Sequence, residues 1–214
     1  MARTGPTTKD TTTVPLGLAQ IRIGASATYI GQIRPILAST DSIGALANTK
    51  LTLNQEFYKL ESGYPLLEDA VFPLRESAML ECSFKELTPA NMALAKGLDA
   101  TASEYSAAHS GSIALGNMST PSYVRMEAVY TFPDGTNTMT IIFPRAQVIS
   151  APEVDFQMEE VAAVPISIEA KRADSEVSGG HVAWDDKPLG RLYWDDGAGT
   201  MTTTSTTTTT TAPP

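Results

Sequence analysis

A two-residue rhythm of apolar and polar positions runs through most of the chain. In "SAMLECSFKEL", Ala78, Leu80, Cys82 and Phe84 fall on one side, while Ser77, Met79, Glu81, Ser83 and Lys85 fall on the other. In "YVRMEAVYTF", Val124, Met126, Ala128, Tyr130 and Phe132 alternate with Tyr123, Arg125, Glu127 and Thr131. "VDFQM" aligns Val154, Phe156 and Met158, and "VPISIEA" aligns Val164, Ile166, Ile168 and Ala170. "KLTLNQEF" alternates more loosely through Leu51, Leu53 and Phe57. Successive strand residues face opposite sides of a sheet, so this period predicts half-buried antiparallel strands. "FPDGTNTM" joins two of them, and Pro133-Asp134-Gly135 supplies hairpin-turn chemistry.

One segment breaks the rhythm as a helix. "LTPANMALAKGLD" offers Thr88 as N-cap, Pro89 at the first helical position and Gly97 near the end, which predicts a helix over 88–98. Met92, Ala95 and Leu98 share a face suited to covering a sheet. Many strands and one helix predict a mainly β fold, an antiparallel β-sandwich with one flanking α-helix. Residues 57–68, 99–121 and 172–190 lack strong periodicity and read as long loops, which in a compact domain point to function or a partner surface. The expected organisation is a flexible N-terminal arm at 1–13, a β-sandwich domain at 14–171 and a C-terminal arm at 172–199. A Thr-rich tail at 200–214 lacks apolar anchors and is expected to be disordered.

Charge changes the picture in one respect. Of 214 residues, 15 are Lys or Arg and 24 are Asp or Glu, a net charge of −9. Such a chain does not grip nucleic acid non-specifically, because phosphate binding needs clustered cations. Only 18% of residues are charged, so much of the surface is Thr, Ser, Ala and Gly or is buried against partners. The N-terminus shows no apolar signal region, and no run approaches the roughly 20 apolar residues of a membrane span, so synthesis in the cytoplasm is expected.

Candidate chemistry is sparse. Glu61, Glu68 and Asp69 surround a Gly-Tyr-Pro turn in "FYKLESGYPLLEDAVF", a set that could hold a metal or act in acid/base catalysis. No metal-ligand spacing accompanies them, and neither His109 nor His181 is near in sequence. "WDDKPLGRLYWDDG" repeats Trp-Asp-Asp, at Trp184–Asp186 and Trp194–Asp196, a pattern open to a carbohydrate or calcium site. The plainer reading makes each Trp an anchor for the C-terminal arm, on its own subunit or a neighbour, and each Asp pair a turn. Cys82 alternates with Leu80 and Phe84 and reads as a core residue. "HSGSI" around Ser110 and Ser112 is not a nucleophile elbow. No catalytic residue, metal ligand or cofactor site is assigned. A carbohydrate-active enzyme resting on the Asp-rich loops is the weaker alternative.

The layout from "LNQEFYKLESGYPLLEDAVFPLRESAMLECSFKELTPANMALAKGLD" through "YVRMEAVYTFPDGTNTMTIIFPRAQVISAPEVDFQMEEVAAVPISIEAKRAD" resembles that of bacteriophage major tail tube proteins over roughly residues 14–196. The resemblance implies a structural virion protein of the tail whose β-sandwich subunits form hexameric rings with a continuous inner β-barrel. Rings would stack into a tube that conducts DNA to the host cell without specific binding. A tape-measure protein and tail tip or terminator proteins would be further partners. A type VI secretion-like tube or another virion component is the near alternative. On this view residues 57–68 form an inter-ring stacking loop. Tyr58, Leu60, Tyr64, Leu66 and Leu67 would bury against the next ring, and Glu61, Glu68 and Asp69 would pair with basic residues there. Glu56, Glu81 and Glu127 are the candidate lumen-facing residues, and Trp184 and Trp194 the anchors of the C-terminal arm.

Overall fold

The structure, a computed structural model, describes residues 17–62, 64, 67–107, 109–116, 120–156 and 162–195. The expected N-terminal arm and Thr-rich tail lie outside the described residues, as do Gly63, Pro65, Leu66, Met158 and Asp196.

Seven strands dominate: β1 (Gln20–Ala25), β2 (Leu46–Ser62), β3 (Leu67–Phe84), β4 (Val124–Thr131), β5 (Thr138–Val148), β6 (Val164–Ala170) and β7 (Arg191–Asp195). A four-residue helical turn, α1 (Ser26–Tyr29), follows β1, and α2 (Pro89–Ala95) follows β3. All strands belong to one antiparallel sheet in the order β1-β4-β5-β6-β3-β2, with β7 also paired to β5. The expected sandwich of two sheets is therefore replaced by one continuous sheet.

That sheet encloses its core by turning back on itself. Ile21 and Ile23 of β1 share a buried cluster with Leu80 and Phe84 of β3, Met126 of β4, Phe143 of β5 and Ile166 and Ile168 of β6. The segment before β2 ties the two ends together. Ser42 bridges to Arg22, the Ile43 amide donates to the Ile21 carbonyl at 3.0 Å, and the Lys85 amide donates to the Ala45 carbonyl at 2.8 Å. Alternation within each strand sends one side chain in two to this core, which drives the roll through apolar burial.

The helix lies within its expected span. The Thr88 hydroxyl accepts from the Asn91 amide at 3.2 Å. At the other end Gly97 takes φ +75°, and the amides of Gly97 and Leu98 donate to Leu94 and Ala93 carbonyls, both at 2.8 Å. This is the glycine-closed helix end that satisfies the last carbonyls. Leu94 and Ala95 enter the core. The 132–137 turn also forms, with Asp134 Oδ1 accepting from the Thr136 and Asn137 amides at 3.1 and 3.0 Å.

Two expectations need correction, and a third is narrowed. Residues 57–62 and 67–68 are not loop but the continuation of β2 and β3. Val154–Phe156 form no strand, and Phe156 is exposed, because alternation makes a segment able to pair without supplying a neighbour to pair with. Of the expected C-terminal arm at 172–199, residues 172–195 are described and dock on the chain's own sheet, one of the two placements the sequence left open. They contribute β7, a 3-10 turn at Val182–Trp184 and a second small core of Ile142, Ala173 and Trp184.

Candidate functional site: a projecting hairpin and a pinned turn

β3 pairs with β6 only from Met79 to Phe84, whereas β2 and β3 stay paired from Leu46↔Phe84 out to Ser62↔Leu67. Beyond Ala78 the hairpin is thus a two-stranded ribbon outside the β6 ladder. Its side chains are exposed on both faces. The register sorts them. Tyr58↔Phe72, Leu60↔Ala70 and Ser62↔Leu67 share one face, and Phe57↔Pro73, Lys59↔Val71 and Glu61↔Glu68 share the other. The β3 strand carries an extra residue at Leu74 and at Asp69, and such bulges bend and twist a strand. Phe57, Tyr58, Phe72 and Leu74 are each at least half exposed, and Tyr64 at the turn is fully so.

Two carboxylates at the tip face each other directly. Glu61 opposes Glu68 across the ladder, an arrangement that repels. Lys59 Nζ sits 2.7 Å from Glu68 Oε2, one lysine against two acids. Asp69 accepts from the Ser62 hydroxyl on the same tip. Of the eight expected stacking residues, Tyr58, Leu60, Glu61, Tyr64, Leu67, Glu68 and Asp69 come together here, and Leu66 lies outside the described residues. Sequence reasoning missed Phe57, Val71, Phe72 and Leu74. Their signal was present: "AVFPL" is apolar at both parities of a strand, which one buried face does not require.

The lumen candidates separate. Glu56 and Glu81 share a face of the β2–β3 ribbon, where Lys50 Nζ lies 2.9 Å from Glu81 Oε2 and Glu56 stands opposite Arg75. Glu127 does not join them; it is fully buried, which removes it as a lumen-facing residue. The physical reason is a second layer: the segment after α1 folds over the outer face of β4. Glu127 Oε1 accepts from Arg125 Nε at 2.8 Å, and its carboxylate accepts from the Ile36 amide at 3.1 Å and the Leu37 amide at 3.0 Å. Arg125, also fully buried, donates to the carbonyls of Tyr29, Gln32 and Arg34 at 3.0, 2.7 and 2.8 Å. Burial pulls the Arg125 guanidinium below its ordinary value, opposed by its bond to Glu127. Outside this pinned turn stand Ile33, Arg34 and Ile36, all exposed.

The Trp anchors differ from each other. Trp184 is fully buried and its indole N–H donates to the Ile30 carbonyl, while Trp194 on β7 is 58% exposed. The first Asp pair ties down its loop through a backbone hydrogen bond and an ion pair. Asp185 accepts from the Ser175 amide at 2.8 Å, which holds its carboxyl below the usual range, and Asp186 pairs with Lys187. His109 is exposed, and exposed His181 accepts at Nδ1 from the Ala183 amide at 3.1 Å. Cys82 is buried, and desolvation pushes its thiol up to about 12. Among the described residues no group of three or more His, Cys, Asp or Glu is placed to hold a metal, and no helix is long and apolar enough to cross a membrane.

No protein family and no curated protein matches the chain. Among solved structures, it is similar to the tail of an empty gene transfer agent particle with C6 symmetry (12% identity, TM-score 0.41, covering 72% of this chain and 92% of that one). It is also similar to the virion of a native gene transfer agent particle (13% identity, TM-score 0.37, covering 83% and 95%). A third is the tube-terminating cap of the anti-feeding prophage (10% identity, TM-score 0.40, covering 92% and 99%).

Proposed function

We propose that this chain is a self-assembling structural subunit of a phage tail, built into stacked hexameric rings that form the tail tube. The observation that carries the reading is the β2–β3 ribbon, which extends past its last sheet partner with apolar side chains on both faces. A two-stranded ribbon is marginal alone in water, and a long exposed apolar edge invites pairing. Selection retains such an element where another molecule covers it. The like-charged Glu61–Glu68 pair fits the same reading, since it costs stability in the isolated subunit. The layout of the sequence, which resembles tail tube proteins, supplies the kind of assembly. In the tube, the face with Glu56, Glu81, Lys50 and Arg75 lines the lumen, and the ribbon end stacks on the next ring.

The test is assembly of the purified chain. Negative-stain electron microscopy and sedimentation velocity are expected to show hollow rings or tubes. The triple variant Tyr58→Ser, Leu67→Ser, Phe72→Ser is expected to fold and remain monomeric. A wild-type protein that stays monomeric at high concentration, or a triple variant that still forms tubes, overturns the proposal.

A further inference from the structure

Resting on that reading, we infer that the pinned turn 31–36 is the surface of one copy that receives the ribbon end of another, with Arg34 seated on the Glu61–Glu68 pair. Three observations converge on it. The first is rigidity without regular structure. Three backbone groups of this turn (the Gln32 and Arg34 carbonyls and the Ile36 amide) and two that flank it (the Tyr29 carbonyl and the Leu37 amide) end on the buried Arg125–Glu127 pair, and the Ile30 and Ile33 carbonyls accept from Trp184 and Arg191. A buried ion pair adds little net stability over apolar residues, so its service here is to fix one shape. A surface already ordered loses less entropy on binding.

The second is composition. The turn presents a cation between two apolar side chains, with Ile33 37% and Ile36 46% exposed. Among the described residues the Arg34 guanidinium has no ion-pair partner. The third is complementarity. One face of the ribbon runs Glu61/Glu68, then Lys59/Val71, then Phe57/Pro73: two carboxylates that share one lysine, with Val71 and Phe57 beyond them. Residues two apart in a strand are about 7 Å apart, which sets the step from Glu61 to Lys59 along the ribbon. A planar guanidinium suits a pair of carboxylates, and its charge relieves their mutual repulsion. Ile36 and Ile33 then cover Val71 and Phe57.

The charges can be exchanged to test this. Arg34→Glu and Glu61→Arg, each alone, are expected to raise the concentration needed for assembly roughly tenfold to a hundredfold. The combined variant is expected to recover most of that loss, with thermal melts unchanged throughout. As a second measurement, Arg34→Cys with Glu61→Cys is expected to give ladders between copies with a short bismaleimide, whereas neither single variant does. The buried Cys82 leaves this background clean. If Arg34→Glu assembles like wild type and the cysteine pair gives no ladder, while the triple ribbon variant stays monomeric, the ribbon docks elsewhere and this inference alone falls. A wild-type protein that never assembles removes the parent reading and this one with it.

Discussion

Arg125 and Glu127 occupy positions that the alternation of β4 assigns to solvent, yet both side chains have no exposed area. Their bonds account for the discrepancy: the groups that satisfy them lie about ninety residues earlier, in the turn after α1. A pattern within one strand reports which positions are polar, and it contains nothing about a distant segment that later covers them. The pair is also the place where a single change costs most. Glu127→Ala leaves a guanidinium buried without its carboxylate, so urea denaturation is expected to show a loss of about 3–5 kcal/mol. A loss under about 1 kcal/mol would mean that water enters and solvates Arg125, contrary to the enclosure described. Cys82 shows the opposite case, where alternation with Leu80 and Phe84 located the side chain correctly. Its buried thiol, raised by desolvation, is expected to resist an aromatic disulfide reagent at pH 8 in the folded protein and to react at once in denaturant.

At the scale of elements, β3, β4 and β6 were legible because each sends alternate apolar residues into the main core, and α2 because Thr88, Pro89 and Gly97 carry out capping chemistry. The ribbon was legible only in part. Tyr64 sits at a turn between the paired Ser62 and Leu67, but the flanking residues were read as loop because neither face is consistently apolar. With no second layer beyond the β6 ladder, no face of the distal ribbon has to be apolar for folding. β7 escaped notice for a related reason: five residues with two aromatics and an arginine give too short a pattern, and pairing to β5 decides its state. The ribbon's isolation has a dynamic consequence. Amides of residues 54–62 and 67–77 are supported by one cross-strand ladder alone, and they are expected to exchange hydrogen quickly in the monomer. Amides of Met79–Phe84, paired on both sides, should exchange slowly. In assembled material the distal set is expected to become protected. Equal protection of both sets in the monomer would show that the ribbon is stable unaided and would remove the energetic argument for a covering partner.

At the scale of the whole molecule, charge would decide how the proposed tube treats what passes through it. The chain is acidic by nine charges, yet the face assigned to the lumen is not an acidic sheet: Glu81 pairs with Lys50, and Glu56 stands opposite Arg75. Lys50 therefore already has a carboxylate at contact distance and Arg75 has one across the ladder, so a phosphate approaching either competes with a neighbouring acid. Exposed pairs of this kind are worth little as stability, about 0–1 kcal/mol, so their effect is on what the surface refuses to hold. Affinity for duplex DNA grows with the number of phosphates neutralised, and a surface whose cations are matched neutralises few. Assembled wild-type protein is accordingly expected not to retain duplex DNA on a filter at about 50 mM salt. Glu56→Lys with Glu81→Lys leaves Lys50 and Arg75 unmatched and adds two cations per copy, repeated around every ring. That variant is expected to retain DNA at low salt and release it steeply as salt rises, in the manner of counterion release. Retention by the wild type with an equally steep salt dependence would place free cations on the path, and the paired face could not then be the one that lines it.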